Sequence, residues 1–183
     1  MATQLTAEDA RQSLTAHVEA KGVEVFVKYG PQIGWGELQR LLADRVFVRY
    51  PVEIVFDAAE LQLGEFAHPV QKSDGPEEGF TMYVHPLFSL ELERVASAVL
   101  YQLVAVNYGE FASSDEAETF GAAALGLTRD EYYNLLCEMS AQVGGDADQL
   151  EPGLESDMTS EPAAHLHAGG CGGGCGHGGC DHG

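Results

Sequence analysis

The sequence predicts an α+β fold in which a small antiparallel sheet packs against a helical C-terminal half. Short stretches of period-2 alternation are confined to the N-terminal half, and from Ser89 onward the apolar residues follow helical spacing. The 183 residues are enough for one sizeable core and too few for two comfortable domains. We therefore predict a globular domain over residues 1–143, a flexible acidic linker over 144–164 and a separate tail over 165–183.

The N-terminal half begins with a predicted helix over about residues 7–20, for which Thr6 is a suitable N-cap. Alternating apolar and polar side chains over 23–29 predict a strand or extended segment, and a short helix follows over 36–45. Three further stretches have strand character, at 46–56, 64–71 and 79–85. Pro51 interrupts the first of them, which is therefore either two strands or an edge strand with a bulge.

The C-terminal half is predicted to contain three helices. Residues 90–107 are apolar almost all round, which is typical of a buried central helix. Ser113 followed by Glu116 has the spacing of a capping box and predicts the start of the second helix. Thr128 and Glu131 repeat that spacing at the start of the third.

The charge balance excludes several classes of partner. Nine Lys and Arg face 29 Asp and Glu, so the formal net charge is -20. Binding to nucleic acid or to an anionic membrane surface needs a basic face, so neither is expected. No secretory signal is recognisable, and the longest uncharged apolar stretch, 95–107, is too short to span a bilayer. We therefore expect a cytoplasmic protein.

The last 19 residues concentrate the metal-binding chemistry of the chain. The candidate ligands are His165, His167, Cys171, Cys175, His177, Cys180 and His182. Thiolate and imidazole are ligands for nickel, zinc and copper, and the intervening glycines let the chain wrap an ion in several ways. The sequence predicts an exchangeable transition-metal site whose metal it does not specify. A thiol-modification or redox role, or a merely solubilising tail, are the alternatives.

This tail resembles those of nickel-handling accessory proteins and folding factors. The resemblance implies a metal-handling accessory protein, for storage, delivery or sensing, that binds the ion through its tail and docks on a protein client through its body. The tail is less similar to the Cys/Gly-rich core of ribosomally made peptides, in which a Gly-Gly such as Gly169-Gly170 precedes the modified stretch. That likeness implies a precursor whose tail is modified after synthesis.

The body resembles a different family, the ImmA/IrrE-type zincin-like metallopeptidases. The similar segments are Phe80-Thr81-Met82, the helix containing residues 99–107, and the stretch Glu116-Ala117-Glu118-Thr119-Phe120 with the Ala-rich residues that follow it. In that family a strand leads into a helix with His-Glu-x-x-His, and the next helix opens with Glu-Ala-x-x-Phe. The resemblance implies a zincin-like fold.

The chain departs from that family in the residues that carry the chemistry. Tyr101, Ala105 and Gln102 stand where the family has two zinc histidines and a catalytic glutamate. Tyr and Ala do not replace imidazole ligands here, and an amide is not a general base. Only Glu116 matches, and its capping position explains it without a metal. The resemblance therefore implies a catalytically inactive domain, retained for its shape and not a metallopeptidase.

That inactive domain suggests a second function. The body would be an interaction or regulatory module whose acidic surface binds a basic partner or mimics an acidic ligand, with the tail secondary. A remaining enzyme hypothesis requires a metal held by His68, His85 and Glu116, although the two histidines are more simply loop residues.

Other body residues are expected to serve packing. Cys137 lies within an apolar helical pattern and is expected to be a buried small hydrophobe. Trp35 is expected to pack in the core or in a turn. A set of tyrosines at helical spacing is expected to form a core stripe; its members are Tyr101, Tyr108, Tyr132 and Tyr133.

Overall fold

Five α-helices and a three-stranded sheet make up residues 7–145, the part of the chain that this computed structural model describes. The helices are α1 (Ala7–Tyr29), α2 (Trp35–Ala43), α3 (Leu92–Tyr108), α4 (Ser114–Leu125) and α5 (Arg129–Gly145). The strands are β1 (Val52–Phe56), β2 (Ala67–Gln71) and β3 (Phe80–Val84). The predicted α+β class is therefore confirmed. The chain divides into two units, Met1–Glu151 and Pro152–Gly183, and the described residues belong to the first.

The sheet is mixed, where the sequence had predicted an antiparallel one. Its strand order is β1-β3-β2, with β1 parallel and β2 antiparallel to β3. The central strand β3 pairs with both neighbours and buries Phe80, Met82 and Val84 on one face. Alternation of side chains predicts a strand but not the direction of its partner, which depends on where the connecting loops run.

Only the second half of the predicted 46–56 strand stretch is a strand. Residues before Pro51 form a turn, in which the backbone N–H groups of Phe47 and Val48 both donate to the carbonyl of Asp44. After Pro51, β1 is an edge strand, and so is β2, which contains Pro69. Both prolines thus avoid the central strand, where a missing N–H would cost a ladder hydrogen bond.

The predicted strand over 23–29 is wrong, because α1 continues as a helix to Tyr29. The buried face of α1 contains Val18, Gly22 and Val25, which follow helical and not alternating spacing. A Cβ at Gly22 would lie 2.6 Å from both Ala123 Cβ and the Phe120 carbonyl oxygen of α4. The close approach of α1 and α4 therefore needs glycine on that face of a helix. Val23 and Val27, which created the alternation, are exposed.

Helix α3 is the buried centre of the fold, as its sequence predicted. It buries residues 95–100 together with Leu103, Val104 and Val106. The sheet packs against α3 through β2 and β3, while α4 packs against both α3 and α1. This order of layers places the middle of α3 between the sheet and the later helices.

The two predicted capping arrangements are confirmed. Ser113 and Glu116 form a complete capping box at the start of α4. At the start of α5, Glu131 accepts hydrogen bonds from the backbone N–H and the hydroxyl of Thr128, at 2.8 and 2.7 Å. Both motifs satisfy N–H groups that the first helical turn leaves unpaired, so they act locally and are visible in sequence.

The aromatic residues are only partly in the core. Trp35 packs against the core beside Phe56, with ring centroids 6.0 Å apart, as expected. Tyr132 is fully buried and donates to the carbonyl of Ser97. Tyr101 and Tyr108 are half-buried, and the fourth predicted stripe residue, Tyr133, is exposed. Tyr133 departs from the prediction because it follows Tyr132 by one position, about 100° around the helix.

Candidate functional site

The predicted metal ligands lie outside the residues that the structure describes. They are His165, His167, Cys171, Cys175, His177, Cys180 and His182. Within residues 7–145, no group of three or more His, Cys, Asp or Glu side chains is placed to hold a metal ion. The tail site therefore stays a prediction from composition and spacing.

The candidate site of the folded body is a cavity of about 410 Å³ between α3, α5 and the loop that leads into β2. We call it the α3–α5 cleft. Loop residues 62–66 line one side and Leu136, Cys137 and Ser140 line the other. Ser140 donates a 2.7 Å hydrogen bond to the carbonyl of Gly64, which ties the loop to α5. The cleft is thus bounded by elements that are held together by a direct hydrogen bond.

Two of the residues that the zincin resemblance singled out line this cleft. Gln102 donates from Nε2 to the carbonyl of Ala67 in β2, at 2.7 Å. Tyr101 places its ring edge-on to Phe66, with centroids 6.0 Å apart. Ala105 is exposed and does not line the cleft. The side chain of Gln102 therefore joins α3 to the edge strand β2.

Glu116 is buried away from the cleft. Its carboxylate accepts hydrogen bonds from the Ser113 hydroxyl at 2.5 Å, the Ser113 backbone N–H at 2.9 Å and the Thr15 hydroxyl at 2.8 Å. Burial by itself would raise the pKa of Glu116, but these hydrogen bonds outweigh it and lower the pKa below its ordinary value. The carboxylate is thus a charged link between α1 and α4.

Cys137 is exposed, which contradicts its predicted burial. The buried stripe of α5 consists of Tyr132, Leu136, Met139 and Val143, and Cys137 falls beside it. The neighbouring Cys137 raises the pKa of Tyr133. The thiol and the phenol are both exposed, and both line the α3–α5 cleft.

The polar lining of the cleft is acidic and neutral. Glu118 lines it and is paired with Arg129, at 2.7 Å between carboxylate oxygen and guanidinium nitrogen. Burial raises the pKa of Tyr101, and the negative charge of Glu118 raises it further. Glu65 also lines the cleft and is within 3.1 Å of His68 Nδ1. The charge of Glu118 is thus balanced by Arg129, whereas Glu65 has no Lys or Arg partner among the described residues.

The three residues of the enzyme hypothesis do not form one site. His68 lies in β2, exposed, and contacts Glu65. His85 follows β3, where its Nδ1 accepts from the backbone N–H of Leu87 at 3.3 Å. Glu116 belongs to the α1–α4 contact described above. No cluster able to hold a metal is found among the described residues, so the metal site proposed for this trio is wrong.

The sequence reasoning missed the cleft because its walls come from separate regions. Loop 62–66 carries no recognisable motif, and it meets α5 only in the folded chain. One sequence signal could have indicated an exposed thiol. Cys137 follows Leu136 by one position, which turns it about 100° away from the buried face of α5.

No helix among the described residues has the length and apolar character needed to cross a membrane. Comparison with protein-family models, curated proteins and solved structures finds no match for this chain.

Proposed function

We propose that this chain is a metal-handling accessory protein, whose C-terminal tail binds a transition metal ion and whose folded body docks on a protein client. The observation that carries the proposal is the composition of residues 165–183, which contain four His and three Cys. Nickel, zinc and copper all accept these ligands. A cytoplasmic location is part of the proposal, because a reducing compartment keeps the thiols available.

The client is proposed to present basic groups. The net charge of -20 attracts positively charged surfaces, and Glu65 provides an acidic group at the α3–α5 cleft. The predicted linker of about 21 residues would let the tail explore roughly 25 Å. A tethered ion is thereby held at a raised local concentration near a docked client.

Titration with Ni²⁺, Zn²⁺ and Cu⁺ tests the metal part of the proposal. One variant replaces the four tail histidines with Ala and the three tail cysteines with Ser. A matched control replaces His17, His68 and His85 with Ala and Cys137 with Ser. The tail variant should lose binding and the control should retain it. Equal binding by the wild type and the tail variant contradicts the proposal.

The second candidate is a catalytically inactive zincin-like interaction module in which the tail is secondary. The hydrogen bond from Gln102 to the Ala67 carbonyl favours it, because the side chain in the catalytic position is used to hold α3 against β2. This candidate predicts that client recovery survives the seven tail substitutions. It also predicts that recovery is lost when the exposed cleft residues Leu63 and Tyr133 become Ala.

Client binding that disappears with the tail ligands and persists in the cleft variant contradicts the second candidate. The same result supports a client interaction that depends on the bound metal.

A further inference from the structure

A second cavity, of about 310 Å³, gathers basic side chains in this otherwise acidic protein. It lies between α1, the turn that precedes β1, and the C-terminal end of α3. Lys21, Arg45 and Arg49 all line it, and they are three of the nine basic residues in the chain. We call it the basic pocket.

Within the part of the chain that the structure describes, the two arginines of this pocket make no ion pair, whereas most Lys and Arg side chains do. Among the described residues, six Lys and Arg side chains make ion pairs; these are Lys21, Lys28, Arg40, Lys72, Arg94 and Arg129. Three arginines do not, and two of those three, Arg45 and Arg49, line the same pocket. Although the chain has 29 acidic residues, these two arginines without ion pairs lie in one pocket and create a local site of positive charge.

The backbone around the arginines is held in place. Asn107 of α3 accepts from the backbone N–H of Arg49 at 2.8 Å and donates to the carbonyl of Phe47 at 2.8 Å. Within residues 7–145, the guanidinium of Arg45 makes one hydrogen bond, a 3.5 Å contact to the carbonyl of Val48. The turn is therefore fixed while most guanidinium donors stay available, which reduces the ordering cost of binding a ligand.

Tyr108 lines the basic pocket together with Lys21, Arg45 and Arg49. Burial raises the pKa of this tyrosine, whereas the charges of Arg49 and Lys21 act in the opposite direction. The ring of Tyr108 is edge-on to His17, with centroids 5.9 Å apart, and Lys21 Nζ lies 5.7 Å from the ring centroid of Phe47. The pocket thus combines two guanidinium groups and one ammonium group with an aromatic lining.

We propose that the basic pocket binds a small phosphate monoester. A phosphate monoester carries nearly two negative charges and three acceptor oxygens, and Arg donors match it in paired geometry. A carboxylate carries only one negative charge and would use fewer of the donors of these three bases, so it fits the pocket less well than a phosphate does. The aromatic side chains contact the group that the phosphate esterifies. The volume is near the lower limit for ligand pockets, which suits a small molecule and not a polymer.

The overall negative charge does not prevent such binding. Exposed charges separated by more than about 8 Å are largely screened at physiological ionic strength. Glu24 is paired with Lys21 at 2.8 Å, so the positive charge offered to a ligand comes mainly from Arg45 and Arg49, which act on it more strongly than carboxylates farther away do. This proposal is independent of metal binding by the tail.

Calorimetric titration of the full chain, without added metal, tests the proposal. The probes are phenyl phosphate, inorganic phosphate and benzoate. Saturable binding of phenyl phosphate is expected, with weaker binding of the other two. No saturation below about 20 mM phenyl phosphate overturns the proposal. Equal affinity for benzoate overturns the choice of phosphate, and equal affinity for inorganic phosphate overturns the choice of an ester.

Two charge-matched variants locate the binding site. Arg45→Gln with Arg49→Gln should weaken phenyl phosphate binding by about tenfold or more. Arg11→Gln with Arg40→Gln removes the same charge outside the pocket and should change affinity by less than about twofold. Arg49→Gln alone, at an exposed side chain, should also weaken binding. Equal losses in the two double variants would indicate a general charge effect and overturn the assignment.

Discussion

Thr15 of α1 donates a 2.8 Å hydrogen bond to the carboxylate of Glu116 in α4, across 101 positions of sequence. Glu116 is only 2% exposed, and its capping box in α4 uses the other carboxylate oxygen. One side chain therefore completes a local motif and a long-range contact. The glutamate that the enzyme hypothesis placed at a metal is engaged in joining two helices.

Replacing Thr15 with Val should destabilise the fold by about 1–2 kcal/mol, because Val keeps the shape but removes a donor from a buried charge. Thr15→Ser keeps the hydroxyl and should therefore lose less stability than Thr15→Val. Thermal unfolding of both variants measures the difference. A Val variant as stable as the wild type would show that the Thr15 hydrogen bond contributes nothing.

Replacing Gly121 with Ala should destabilise the fold by about 1–3 kcal/mol through overpacking. A Cβ at this position would overlap the ring of Tyr132, which is fully buried and hydrogen-bonded to Ser97. Gly36→Ala in α2 is the control, since its Cβ would meet nothing within 4 Å. The control should gain up to about 1 kcal/mol from helix propensity. Equal denaturation midpoints for the two variants would contradict this account.

Asp44 should make stability depend on pH in the acidic range. Hydrogen bonds from Lys28 and Tyr29, at 2.5 and 2.8 Å, lower its pKa to about 2. Because the folded pKa lies below the ordinary value of 3.8, the stabilisation is present above about pH 4 and is lost as pH falls towards 2. Solvent screens this interaction because Lys28 is half exposed. We therefore expect ionised Asp44 to add about 1–2 kcal/mol to the free energy of unfolding at pH 7.

Denaturant unfolding of Asp44→Asn at pH 7, 4 and 3 measures this dependence. The difference from the wild type should shrink as the pH is lowered. Glu19→Gln is the control, an exposed change of the same charge without an ion pair among the described residues. A difference that stays constant with pH would exclude Asp44 as the source.

The thiol of Cys137 should react in the native protein. In a variant with Cys171, Cys175 and Cys180 replaced by Ser, a thiol reagent such as Ellman's should label one cysteine without denaturant, because Cys137 is exposed. Adding Cys137→Ser should abolish the signal. Labelling that requires denaturant would instead support the original prediction of burial.

Metal binding by the tail should weaken as pH falls from about 8 to 6, because metal must displace protons from thiols and imidazoles. Replacing Cys171, Cys175 and Cys180 with Ser should weaken Cu⁺ binding more than Ni²⁺ binding, since the imidazole ligands remain for nickel. The melting temperature of the body should not change in this variant. Unfolding of the body would contradict the predicted separation of domain and tail.

The parts of the fold that could be predicted are those in which neighbours along the chain make the interaction. The caps at Ser113 and Thr128 are satisfied within three residues, and the burial of α3 follows from an apolar surface on nearly every side. Such features depend on residues close together in the chain, so the residue pattern is sufficient to predict them. The metal-ligand content of the tail is likewise a property of composition.

Tertiary structure decided the features that depend on which distant segments meet. Residues 23–29 continue α1, whose helical face packs closely on α4 at Gly22, and β1 runs parallel to β3. The basic pocket brings Lys21 and Arg49 together although 28 positions separate them. Alternation and charge counts describe each segment alone, whereas close packing and charge clustering arise only when segments from different parts of the chain share one surface.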